Sequence, residues 1–152
     1  MGQQQLLLLV LATVIVGLAT VAGIQAFEQG SRRANQDALT QTAVKIASDI
    51  QAKTKEPSQF GGYDGDLSSA KDSIALEEMG YETDGSVYKT ADGECAITTG
   101  GRNGGSPSNG SEVGDASGDI IVTCGSEDNS VSAGVSGLNS EDINSAAEIN
   151  DS

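Results

Sequence analysis

From Leu6 to Phe27 the sequence LLLLVLATVIVGLATVAGIQAF holds no charged residue, and the first charge in the chain is Glu28. About twenty apolar residues in a row are enough to cross a bilayer core as a helix. No helix breaker follows between Glu28 and Glu56, but the pattern changes there from apolar on all sides to amphipathic. Leu39, Ala43, Ile46, Ala47 and Ile50, with Val44 beside them, recur at steps of three and four, which places them on one helix face. Asp37, Gln41, Lys45, Ser48, Lys53 and Lys55 point elsewhere. Lys53 and Lys55 suit the negative end of a helix dipole. Pro57 disfavours helix at Glu56, and Gly61-Gly62 reinforce the stop. A helix from Gln3 to Lys55 would measure about 80 Å, far more than a bilayer's thickness. Its amphipathic half must find cover on the rest of the chain and on neighbouring helices.

The chain has 152 residues, so the helix leaves enough for one small domain. We expect a helix over 1–56 (apolar 3–27, amphipathic 28–55) and an acidic globular head over 57–152. Aromatic residues make up 3% of the chain and Trp is absent, so the head's core is thin and needs a staple or neighbours. Cys95 and Cys124 are that staple. Charge is unevenly placed: residues 28–55 carry five basic and three acidic groups, and residues 56–152 carry three basic and nineteen acidic ones. Such a head repels nucleic acid and anionic lipid headgroups, which argues against either as its ligand. Paired cysteines in an acidic, loop-rich head after an apolar N-terminus suggest an oxidising compartment. Arg32 and Arg33, just past the apolar span, pull the other way by the positive-inside tendency. The disulfide and the acidic head carry more weight, and place the head outside the cell.

Within the head, Asp66 or Ser68 through Met79 reads as a short helix with Ala70, Ile74, Ala75 and Met79 on its apolar side and Gly80 as its cap. Ser86–Thr90 and Glu94–Thr99 form a predicted hairpin around Ala91-Asp92-Gly93. Residues 100–118 are a Gly/Ser/Asn-rich loop, and Asp119–Cys124 (DIIVTC) is the most strand-like stretch. A disulfide between Cys95 and Cys124 closes a segment of about thirty residues and contributes roughly 3–4 kcal/mol in the chain-entropy model. Val131 and Val135 suggest one edge strand. Ser140–Asn150 suggests a weak helix with Ser140 as its N-cap and Ile143, Ala146, Ala147 and Ile149 as its apolar residues.

The start Met1-Gly2-Gln3-Gln4-Gln5 lacks the basic region of a signal peptide, and Leu6 stands where a myristoylation site has Ser or Thr. This end reads as a retained anchor, with no cut expected after Gly2. Thr13 and Gly17, Ala19 and Gly23, and Ala22, Ala26 and Gly30 recur every four residues, a spacing that lets helix backbones approach closely. Catalysis finds little support. The chain has no His, the commonest general base and metal ligand, and no G-x-S-x-G constellation, so we expect neither an enzyme nor a metal or cofactor site. The acidic pairs Asp64/Asp66, Glu127/Asp128 and Glu141/Asp142 do not follow the carboxylate spacing of an EF-hand and read as solvated loops. Asn109-Gly110-Ser111 and Asn150-Asp151-Ser152 fit the N-glycosylation sequon, making Asn109 and Asn150 candidate acceptors.

The layout resembles the type IV pilin superfamily, over Gly2 to about Lys55 for the helix and more loosely over the head. The resemblance implies an α+β fold: a long N-terminal α-helix followed by a small antiparallel sheet stapled by Cys95–Cys124. It further implies a homo-oligomeric helical filament on the cell surface, anchored in the cytoplasmic membrane before pilus assembly machinery polymerises it. Leu6, Leu7, Leu8, Val10, Leu11, Val14, Ile15, Gly17, Leu18, Val21, Gly23, Ile24 and Phe27 would then pack in the filament core, with the heads outside. The sequence departs from the family in three ways: it has no basic leader, Leu7 replaces the Glu usual at the fifth position when counted from Gln3, and the apolar helix lacks Pro. The alternative is a single-pass membrane protein whose head binds a surface partner, or a minor pseudopilin of a secretion system.

Overall fold

The computed structural model describes residues 2–99, 116, 118–127 and 129–149. It is an α+β fold. Helix α1 (Gly2–Lys55) is followed by a second helix α2 (Leu67–Ser73) and six strands. The strands are β1 (Thr83–Asp84), β2 (Val87–Lys89), β3 (Glu94–Thr99), β4 (Ile120–Gly125), β5 (Asn129–Val135) and β6 (Ile143–Ile149). They form one antiparallel sheet in which spatial order follows chain order. The chain divides into two compact units, Met1–Ala34 and Asn35–Ser152. The amphipathic half of α1 thus belongs to the head's own core.

Periodicity explains that core. Leu39, Ala43, Ile46, Ala47 and Ile50 are all fully buried, in one cluster with Cys95 and Ile97 of β3, Ile120, Val122 and Cys124 of β4, and Val131, Ala133 and Val135 of β5. Each such Leu or Ile contributes roughly 1.5–3 kcal/mol by leaving water. Ala70 and Ile74 are fully buried in the same cluster. The helical stripe is polar at both ends, and each end is bonded to loops of the sheet. Asn35 donates to the Asp92 carbonyl at 2.8 Å and accepts from Ser126 Oγ at 2.9 Å and Asn129 Nδ2 at 3.0 Å. Gln51 Nε2 donates to the carbonyls of Gly137 and Asn139, each at 2.8 Å. Buried polar groups are costly unless bonded, so these contacts fix how far the helix can slide along the sheet.

The helix stops where expected, at Lys55 before Pro57. Its last carbonyls are taken up by the returning chain: Asp64 N donates to Glu56 O at 2.9 Å and Gly65 N to Thr54 O at 2.8 Å. Asp66 caps α2 through its side chain, which accepts from Ser68 N. The predicted continuous helix to Met79 is not found. Ile74 and Ala75 are extended, and a separate 3-10 turn covers Leu76–Met79 before left-handed Gly80. The break puts Ile74 and Leu76 both into the core, which a straight helix could not do with residues two apart.

The 87–99 hairpin forms as predicted, and Gly93 is needed there because a Cβ would stand 2.3 Å from the Gly125 carbonyl. Two further expectations are corrected. The strand around Val131 and Val135 lies inside the sheet, between β4 and β6, and all seven of its residues are buried. The tail beyond Ser140 is no helix: Ser140–Asp142 is a 3-10 turn capped by Asn139, and Ile143–Ile149 is β6. A short helix with few apolar residues is marginal alone, whereas β5 offers it a full-length partner from Val135↔Ile143 to Asn129↔Ile149.

Candidate functional site: the uncovered apolar helix

In the first unit, nothing among the described residues covers the apolar span. Leu6, Leu7, Leu8, Val10, Leu11, Val14, Ile15, Leu18, Val21, Ile24 and Phe27 are all exposed, and so are Leu9 and Val16, which complete the apolar surface around the helix. Leu6 is 67% exposed, against 0% for Leu39 further along the same helix. The helix is long and apolar enough to cross a membrane, with a mean hydropathy of 2.7 in its most apolar window and none of that window buried. The two hydroxyls of the span bond to their own helix: Thr13 Oγ1 donates to Val10 O at 2.9 Å, and Thr20 Oγ1 to Val16 O at 2.8 Å. Both are thereby satisfied without water, as an apolar environment requires.

The glycines of this unit are as informative as its leucines. A Cβ added to Gly17, Gly23 or Gly30 would meet nothing within 4 Å. Glycine inside a helix costs about 1 kcal/mol relative to alanine, and no described residue comes close enough to need the missing side chain. Small residues of this kind serve where another backbone comes close.

In the head, Cys95 and Cys124 form the expected disulfide, with an S–S distance of 2.03 Å. They stand directly opposite each other on β3 and β4 and are fully buried. The sequon residues Asn109 and Asn150 lie outside the described residues. Among the described residues no three of His, Cys, Asp and Glu are grouped to hold a metal ion. Asp64 and Asp66 instead serve local turns. Asp64 accepts from Ser58 N, and Asp66 from Ser68 N and the hydroxyls of Ser68 and Ser69. These bonds hold both carboxyls below the usual aspartate range.

The head also carries an open groove that the sequence alone does not reveal. Lys45 and Asp49 of α1 line it together with Met79, Tyr81, Glu82 and Tyr88, enclosing about 490 Å³. The Tyr81 and Tyr88 rings meet edge to face, with centroids 4.9 Å apart. Tyr81 donates its hydroxyl to Asp49, and the Lys45 ammonium sits 5.4 Å from the Tyr81 ring centre. Burial, the hydrogen bond to Asp49 and that carboxylate's charge push the Tyr81 hydroxyl far above its usual range, so it remains a neutral donor.

No protein-family model, curated protein or solved structure matches this chain. A long N-terminal helix followed by a small antiparallel sheet is nevertheless compatible with a pilin-like architecture.

Proposed function

We propose that the chain is the structural subunit of an extracellular, type IV pilus-like filament. The N-terminal helices of many copies bundle in the core, and the acidic heads form the outer sheath. The observation that carries this reading is the uncharged span from Leu6 to Phe27, exposed all round on a helix whose glycines face open space. Exposed to water, it would be an apolar patch far beyond what a soluble monomer tolerates. Lipid can cover it, and so can other copies of itself. Lipid alone gives no use to the open positions at Gly17, Gly23 and Gly30, whereas close-packed helices do.

Before assembly the span holds the subunit in the cytoplasmic membrane, with the disulfide-bearing head outside. Copies offset along the helix axis bury the same surfaces head to tail, which yields an open helical polymer instead of a closed ring. The head's chemistry suits a sheath. It is strongly acidic, which keeps it soluble, and its apolar side chains gather in one buried cluster with α1. Its partners are therefore other copies of itself and the machinery that assembles them, and no catalytic role is assigned.

Shearing the cell surface and weighing the released protein tests the proposal. A major subunit is released in bulk and in long polymers. A chain confined to the membrane fraction, with at most traces in the sheared material, would be a single-pass surface-binding protein or a minor pseudopilin instead.

A further inference from the structure

The groove between Lys45, Asp49, Tyr81, Glu82 and Tyr88 is built for a cation. Tyr81 and Tyr88 both line it, and a protonated amine, the Lys45 side chain, already lies 5.4 Å from the Tyr81 ring centre. An ammonium or guanidinium over a tyrosine face is held by the ring quadrupole. The carboxylates of Asp49 and Glu82 add attraction of the same sign, and Glu82 is exposed at the rim.

The chain's own bases narrow the choice of occupant. Lys53, Lys71 and Lys89 are paired with Glu56, Asp119 and Asp84. Arg32 has a partner, and Lys45 lines the groove itself. Arg102 lies outside the described residues, and Arg33 and Lys55 are exposed, with no ion pair to a described residue. Arg33 stands six residues past Phe27, at the end of the span that other copies would cover. Tight packing of that span draws Arg33 against neighbouring heads, which together are strongly acidic. A guanidinium also stacks on aromatic rings and forks onto carboxylates as an ammonium cannot.

We propose that the groove receives the Arg33 guanidinium of a second copy of this chain, stacked on the tyrosine pair and bonded to Glu82. This docking rests on the filament reading. It adds to the apolar bundle a directional contact between the helix of one subunit and the head of another. Bundled apolar helices resist sliding only weakly, so such a contact sets the axial offset between copies.

Two measurements test it in cells whose wild-type chain polymerises. In the first, Arg33→Cys chains and Glu82→Cys chains are expressed together as minor fractions among wild-type copies. Because Cys95 and Cys124 are closed on each other, the new thiols are the only free ones among the described residues. Mild oxidation of sheared filaments should give a disulfide-linked dimer that is lost when the Glu82→Cys chain is left out. In the second, Arg33→Glu should cut filament yield roughly tenfold or more, the effect of losing one stacked charge pair. Adding Glu82→Arg to the same chain should restore it, with the head's thermal unfolding unchanged throughout. Absence of the dimer, together with wild-type yield from Arg33→Glu, overturns the docking and leaves the filament standing. A wild-type chain that forms no polymer overturns both.

Discussion

The two halves of α1 are both helical and both carry large apolar side chains, yet these meet opposite fates. Residues 39–50 put their large side chains on a single face, and the chain's own sheet covers that face completely. Residues 6–27 put them on every face, and no described residue covers them. A small sheet can shield one stripe of a helix but cannot wrap a helix that is apolar all round. The width of the apolar stripe therefore tells which surface the chain satisfies itself and which it leaves for lipid or other copies. Asn35 and Gln51 sharpen the distinction, because bonded polar residues mark the ends of the self-covered stripe, and among the described residues the outer span has no such bonds to other elements.

The largest expected effect lies in the uncovered half. Gly17→Asp places a carboxylate where no described residue is near enough to pair with it, and burying an unpaired charge is prohibitive. Filaments should vanish from sheared material while the head's thermal unfolding stays unchanged, which shows that the span serves assembly alone. Wild-type filaments from this variant would erase the contrast between the halves.

In the covered half the sign of the outcome reverses. Leu39→Ala removes a fully buried side chain from the head's core, at a cost of about 2–5 kcal/mol. The head should unfold at lower denaturant, measured on the full chain in detergent. Opening the disulfide by changing both cysteines to alanine should cost about 3 kcal/mol, since it frees a loop with a sequence separation of 29. An unchanged midpoint in either case would mean that α1 and the β3–β4 pair do not make the core.

Gly23→Ala separates monomer from polymer. The isolated helix should gain about 1 kcal/mol, yet filament yield should fall, because a methyl group intrudes where a second backbone approaches. A gain in both would place lipid at that position. The smallest effect is in the loops. Asp64, Asp66 and Asp84 are held below the usual aspartate range by Ser58, by Ser69 and Ser68, and by Lys89 respectively. A carboxyl depressed in the folded state stabilises the fold fully above its unfolded pKa and loses that contribution as pH falls through the folded one. The head should thus soften slightly below about pH 4, and the apolar half of the helix, which has no titrating group, should not respond.

Much of this was legible in the sequence. The absence of charge marks Leu6–Phe27, spacing marks the covered stripe, Pro57 marks the stop, and DIIVTC and Asp92-Gly93 mark the central strands. What escaped has physical reasons. NSVSAGV and INSAAEI are built of small and polar residues with little strand propensity of their own. They become strands because β4 offers an edge to β5, and β5 offers one to β6. Ser140 has the side chain of a helix cap, but Asn139 takes the cap position and the turn that begins at Ser140 is 3-10. Nothing local points to Asn35, Gln51 or Asn129, since polarity alone does not reveal a bond made inside the fold. The Tyr81–Tyr88 groove needs Lys45 and Asp49 from α1, more than thirty residues earlier in the chain, and no local pattern joins them.

The central claim is that sister helices, and not lipid, give the apolar half its lasting cover. A helical reconstruction of sheared surface material tests this most directly. We predict density in which Leu6 to Ile24 of each copy is enclosed by the helices of other copies, with close backbone approaches at Gly17 and Gly23. Particles in which that segment lies in a lipid or detergent belt, with each head standing alone, would contradict it.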